Sequence, residues 1–242
     1  MFLGNLTLGL CGFVVAANGF LATPVWAADA KAISKKVRNV FALTSDGSLI
    51  RGAQPSSKNV GVLVEAGVEE VLILKVDTKG EVAREIEALL AAGLPEDRVH
   101  HLLMQWNKPD VANTCEQAAT ALQIITDAQA EGRSLYFHCT AGEDRTGMVA
   151  GLYRIFTEGI EVDDAFENEL CARGYADGHA RKPSHIASTI HRSLTPLFFE
   201  LAERLKSANE NGEVLPSPSK LCRGIEKSVS ESTATGTRCP KH

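Results

Sequence analysis

No charged residue precedes Asp29. That absence sets the first part of the chain apart from a soluble domain. Within it Leu8 to Leu21 is largely apolar, Pro24 would end a helix, and Val25-Trp26-Ala27 offers small residues on both sides of Trp26. The pattern predicts an export signal over residues 1–27, cleaved after Ala27, or after Ala30 through Ala28-Asp29-Ala30. The expected location is therefore periplasmic or secreted. Lys and Arg are missing from the start of this segment, so the N-terminal amine is its only positive charge. Retained uncleaved, the segment is long enough to anchor the chain in a membrane. Cys11 follows Leu10 rather than a small residue, which speaks against a lipoprotein site.

Other absences narrow the function. Lys and Arg number 25 against 30 Asp and Glu, a net charge of −5, so no electrostatic footprint for nucleic acid is present. No Gly-Lys-Ser/Thr follows a glycine-rich run, which excludes the phosphate loop of nucleotide hydrolases. No His or Cys pair has zinc-ligand spacing, and no metal or other cofactor is implied. Repeats and low-complexity runs are missing from the central part of the chain. A composition of 44% hydrophobic and 23% charged residues excludes collagen-like, coiled-coil and globally disordered chains. What remains is one folded domain over residues 38–206 and a Ser/Thr/Pro/Gly-rich tail over 207–242. The tail has few large apolar residues and is expected to bury little surface.

Six cysteines become five once Cys11 leaves with the signal, an odd number that predicts one free thiol. If Cys139 is that thiol, then Cys115, Cys171, Cys222 and Cys239 can pair in three ways, and sequence does not choose. Local pairing of Cys222 with Cys239 would restrain the tail. Cys115 also reads as a small apolar residue on a helix face.

Strand and helix patterns alternate along the centre. Short apolar runs at Leu49–Gly52, Val71–Leu74, Val99–Met104 and Leu135–Phe137 read as strands. Helical spacing appears from Pro55 to Gly67, from Gly80 to Ala92, and through Cys115, Ala118, Leu122 and Ile125 up to Gly132. Three further helices are expected at Thr146–Thr157, Val162–Arg173 and His185–Lys206. The fold class is therefore α/β, a mostly parallel sheet with helices on both faces. Such sheets bind ligands beyond the carboxyl ends of their strands, which singles out the loop after Phe137.

That loop reads His138-Cys139-Thr140-Ala141-Gly142-Glu143-Asp144-Arg145-Thr146-Gly147. Unpaired N–H groups at a helix start form an anion cradle. Gly142 permits a tight curl, and Arg145 offers a planar fork for two phosphate oxygens. Cys139 at the centre of this positive field would favour the thiolate. A fall of two or three units from the free value requires roughly 3–4 kcal/mol of differential stabilisation. The loop amides, Arg145 and the Thr146 hydroxyl are the groups that would supply it.

The pattern H-C-x2-G-x2-R-T-G resembles the signature of the cysteine-dependent dual-specificity and tyrosine phosphatases. Arg51-Gly52-Ala53-Gln54-Pro55 is similar to the R-x-x-Q-P segment of atypical dual-specificity members, and the resemblance spans roughly Val40 to Gly159. On its own, Arg51 also reads as a surface cation near a turn. The resemblance implies a phosphotyrosine phosphatase-like fold and hydrolysis of phosphoric monoesters through a phosphocysteine. Cys139 would be the nucleophile, while Thr140, Ala141, Gly142, Glu143, Asp144 and Arg145 bind the phosphoryl group. Thr146 would assist departure of the thiolate.

It also implies a general acid about thirty residues before the cysteine. Trp106-Asn107-Lys108-Pro109-Asp110 stands there, similar to a Trp-Pro-Asp loop with two residues inserted. Asp110 is thus the candidate acid, although Asp is equally at home as the N-cap of the helix that follows. Asp144 is the second candidate. The implied partner is a phosphorylated substrate, either a phosphoprotein or, in a phytase-like alternative, an inositol polyphosphate. Members acting on phosphoinositides carry Lys where this chain has Glu143, which weakens attraction for multiply charged ligands. The cluster Arg173, His179, Arg181, Lys182, His185 and Arg192 reads either as a second phosphate site or as a solvated run. A rhodanese-like sulfurtransferase also uses a cysteine in an anion cradle, but lacks the Arg-Thr-Gly helix start.

Overall fold

Along Val71-Leu72-Ile73-Leu74 the side chains alternate between two cores, Leu72 and Leu74 in one, Val71 and Ile73 in the other. Leu49 and Ile50 divide in the same way, as do Leu135, Tyr136 and Phe137. Such strands are buried on both faces and need helices above and below. The structure, a computed structural model, describes residues 27–105, 110–179, 182–232 and 237–240. Apart from Ala27, the expected export signal lies outside the described residues, as do 106–109 and Arg181.

Five strands form one sheet: β1 (Phe41–Ala42), β2 (Leu49–Ala53), β3 (Glu70–Leu74), β4 (Val99–Leu102) and β5 (Leu135–Cys139), in the order β1-β2-β5-β3-β4. All neighbours are parallel except β1, which lies antiparallel against β2 at the edge. Helices α1 (Ala30–Ser34), α2 (Gly61–Glu65) and α3 (Glu81–Ala91) cover one face. The other face is covered by α4 (Val111–Ala130), α5 (Asp144–Glu158), α6 (Val162–Ala165) and α7 (Ser184–Glu210). This is the expected mostly parallel α/β architecture. Strand β5 runs between β2 and β3, so Cys139 emerges at the carboxyl end of the middle of the sheet.

Three local expectations differ from the fold. The two-residue strand β1 is too short to show a period in sequence. The helix expected from Pro55 is confined to α2, after a turn. The helix expected over Val162–Arg173 changes winding: after α6, Phe166–Leu170 is a π turn and Cys171–Arg173 a 3-10 turn. The altered winding leaves the Glu169 carbonyl to accept from Arg51 Nη1 at 2.7 Å.

The tail buries more than its composition suggests. Helices α8 (Pro218–Leu221) and α9 (Ile225–Glu231) bring Leu221, Ile225 and Val229 into the larger core together with Cys239. Two covalent links explain it: Cys115 of α4 joins Cys222, and Cys171 joins Cys239. Local pairing of Cys222 with Cys239 does not occur, and Cys115 is a bridge rather than an unpaired apolar residue. Arg204 of α7 reinforces the docking by donating to the carbonyls of Leu221 and Arg223 at 2.6 and 3.0 Å.

Candidate active site

Among the described residues Cys139 is the free cysteine, buried at the base of the loop that joins β5 to α5. Three successive carbonyls of that loop are tied outward. Thr140 accepts from Gln54 N–H at 3.3 Å, Ala141 from Asn39 Nδ2 at 3.0 Å, and Gly142 from Arg51 Nη2 at 3.0 Å. In a planar trans peptide the N–H points opposite its carbonyl, so the amides of Ala141, Gly142 and Glu143 turn inward. The N–H groups from Ala141 to Arg145 make no backbone hydrogen bond among the described residues. The result is the anion cradle read from sequence, held open from behind by Asn39, Arg51 and Gln54.

Gly142 allows this shape. Its φ is +73°, and a Cβ there would stand 2.4 Å from the Gly52 carbonyl. Gly52 in turn leaves room for Tyr136, whose hydroxyl would lie 2.1 Å from an added Cβ and donates to the Ala53 carbonyl at 2.6 Å.

Burial pushes the Cys139 thiol up, but the Arg145 charge and hydrogen bonds from the Thr146 hydroxyl and amide outweigh it. The thiol ends lowered to about 7, with nearby Asp144 opposing the shift. Thr146 Oγ1 is buried and has no other partner. Arg145 donates to the Met104 carbonyl at 3.1 Å and to Thr140 Oγ1 at 3.3 Å, while its Nε is buried and unpartnered. Together with Lys75, Gln105 and Thr140 it lines a cavity of about 240 Å³. A larger cavity, about 430 Å³ between α7 and the tail, shares no residue with the loop.

Behind the cysteine stands a buried relay. His138 Nδ1 lies 3.1 Å from the Cys139 carbonyl, and its Nε2 lies 2.8 Å from Glu85 Oε1 of α3. Burial opposes protonation of His138, but the charge and hydrogen bond of Glu85 prevail and raise its pKa above the ordinary value. Glu85 also accepts from Gln54, which accepts from Lys75 at 2.9 Å. The chain of contacts thus returns to the wall of the cavity.

Arg51 is fully buried in β2 rather than a surface cation. Glu143 pairs with Lys182 at 3.0 Å, and the same ammonium reaches Asp144 at 2.5 Å. One lysine therefore bridges both acids of the loop. Asp144 also accepts from Ala176 N–H at 2.9 Å, so its carboxylate is engaged as an acceptor. Asp110 is exposed at the N-cap of α4, accepting from Asn113 N–H at 3.0 Å, and does not line the cavity.

The profile of the tyrosine phosphatase family matches residues 27–162, more than half of the chain. The chain belongs to the tyrosine phosphatase family. It is a cysteine-dependent phosphatase of that family's type, acting on phosphorylated substrates, and the family's general intermediate is a phosphocysteine. Membership displaces the sulfurtransferase alternative. Among curated relatives, the dual specificity protein phosphatase TpbA of Pseudomonas aeruginosa is 25% identical over 201 residues, 83% of this chain and 78% of its own. The crystal structure of P. aeruginosa TpbA aligns with a TM-score of 0.48 at 21% identity, over 78% of this chain and 99% of that one. The PTP-2 phosphatase of Cydia pomonella aligns at 0.46 with 18% identity, over 62% and 86%.

Asn39, Glu85 and Glu169 support this site without having been legible as parts of it. Asn39 carries the one usable signal: its φ of +56° belongs to a conformation that Asn tolerates better than most residues.

Proposed function

We propose that Cys139 attacks the phosphorus of a phosphoprotein monoester, with Arg145 and the amides of Thr140 to Arg145 holding the three equatorial oxygens. The S–P bond forms as the P–O ester bond breaks, and Asp110 gives its proton to the departing oxygen. Water then attacks the phosphocysteine, returning a proton to Asp110 and releasing phosphate as the S–P bond breaks. The Thr146 hydroxyl supports the leaving thiolate. The observation that carries this reading is a free thiol near pKa 7 beneath inward-facing amides and an unpartnered Arg145 Nε.

The phosphoprotein class follows the dual-specificity relative, with inositol polyphosphate as the alternative. The mature chain works in the periplasm or outside the cell, after loss of residues 1–27. Two disulfides support this, since such bonds persist in oxidising compartments. The deciding experiment is Cys139→Ser: turnover of p-nitrophenyl phosphate should disappear while phosphate binding stays measurable. Retained turnover overturns the assignment of the nucleophile.

A further inference from the structure

A second cavity, about 300 Å³, opens against the same loop through Ala141 and Glu143. Its other walls include Arg38, Phe41 and Arg173. Arg173 is held in place there, its guanidinium carbon 3.9 Å from the centre of the Phe41 ring. Glu169 is paired with it at 3.6 Å from Nε, outside hydrogen-bonding distance, and that Nε is buried without a hydrogen bond. Glu169 is already engaged by Arg51 at 3.3 Å and by Arg154 at 2.7 Å. Arg154 is also paired with Glu158 at 2.7 Å, so two carboxylates among three guanidiniums leave one positive charge in excess at this wall.

Arg38 adds to that excess. It is exposed, and among the described residues its hydrogen bond is through the backbone carbonyl, accepting from Ala53 N–H at 3.0 Å. The acid in the cavity is Glu143, which pairs with Lys182 at 3.0 Å, an ammonium shared with Asp144, and which His179 approaches to 3.9 Å. Ala141 is two residues beyond Cys139, so their Cα atoms are no more than about 8 Å apart. A substrate fixed over the sulfur therefore has this cavity within reach.

We infer that Arg38 and Arg173 form a subsite for a second phosphoryl group on the same substrate. The inference rests on Cys139 as the nucleophile that receives the first. Of the basic cluster seen in sequence, Arg173 and His179 line this cavity, whereas Lys182 is occupied by the acids of the loop. Two phosphoryl groups can be carried by adjacent tyrosines of a peptide or by neighbouring positions of an inositol ring. The chemistry of recognition is shared.

The test uses the full chain and two substrate pairs: peptides with one or two adjacent phosphotyrosines, and inositol mono- and bisphosphate. The doubly phosphorylated member of at least one pair should have a kcat/KM about fivefold higher, mainly through KM, and the advantage should shrink as salt rises. Arg38→Gln should remove that advantage while p-nitrophenyl phosphate turnover stays unchanged. Preference within only one pair supports the subsite and identifies the carrier. Normal aryl phosphate turnover with no preference in either pair overturns the subsite alone. An advantage that survives in both Arg38→Gln and Arg173→Lys also overturns it. No aryl phosphate turnover in the unsubstituted chain overturns the underlying reading of Cys139.

Discussion

Arg51 Nη2 donates to the Gly142 carbonyl at 3.0 Å, joining residues 91 positions apart in the chain. The same guanidinium grips the Glu169 carbonyl and carboxylate through Nη1. Burial pushes Arg51 down to about 10 against the pull of Glu169, and its charge attracts that of Cys139. One buried cation thus turns a loop carbonyl outward and strengthens the field on the sulfur.

Arg51→Met should therefore harm both folding and chemistry. Removing one partner of a buried pair costs about 3–5 kcal/mol, and the low end is expected because Arg154 and Arg173 still face Glu169. Urea unfolding measures the loss, and the midpoint of Cys139 alkylation should rise. A stable variant with an unchanged midpoint would remove Arg51 from the account of the thiol.

Alkylation of Cys139 by iodoacetamide should titrate with a midpoint of about 7 in the folded protein. Thr146→Val should move it upward, because a hydrogen bond to the thiolate is lost. The linked stability follows from the direction of the shift. The folded value lies below the reference of 9.0, so the contribution is full above pH 9 and is lost as pH falls through about 7. Two units correspond to about 3 kcal/mol. Unfolding of Cys139→Ala should lack this component of the pH dependence.

Asp110→Asn separates catalysis from capping, since Asn is as good an N-cap as Asp. Stability should change little. Alkyl phosphates should slow by about 10²-fold or more, and nitrophenyl phosphate much less, because a good leaving group needs no proton. The basic limb of the kcat/KM profile should vanish with the acid. Equal slowing on both substrates, with that limb intact, would leave Asp110 as a cap only.

The two disulfides should differ in their effect on activity. Replacing either pair by serine should cost about 2–5 kcal/mol in stability. Removing Cys171–Cys239 should also lower kcat/KM for an aryl phosphate, because it releases the segment whose Ala176 N–H holds Asp144. Removing Cys115–Cys222, which ties α4 to the tail, should affect thermal stability alone. Equal activity in both variants would show that the 171–179 segment keeps its place unaided.

The parts legible in sequence were those with a local code. Short apolar runs marked β2, β3, β4 and β5, and the spacing from His138 to Gly147 identified the loop, since its functional atoms are nearly contiguous. Arg51 was visible but its depth was not, because burial of a cation depends on partners such as Glu169, over a hundred residues away. The same holds for His138, whose partner Glu85 lies on another helix. Composition misjudged the tail because a disulfide adds stability that residue counts omit. In sequence Lys182 belongs to a cluster open to two readings, a second phosphate site or a solvated run; its proximity to Glu143 and Asp144 is a product of tertiary structure.

Strand β5 is the last to be synthesised and the one that belongs between β2 and β3. Without it, β1-β2 and β3-β4 could form only two separate halves, each with an inner edge whose backbone groups are unpaired. Sheet closure therefore requires the chain through residue 139, and the same event seats Cys139 against Ala53. No shorter nascent chain has both a finished sheet and a seated thiol. Reactivity is thereby coupled to completion, and an unfinished chain offers no assembled site for alkylation or oxidation.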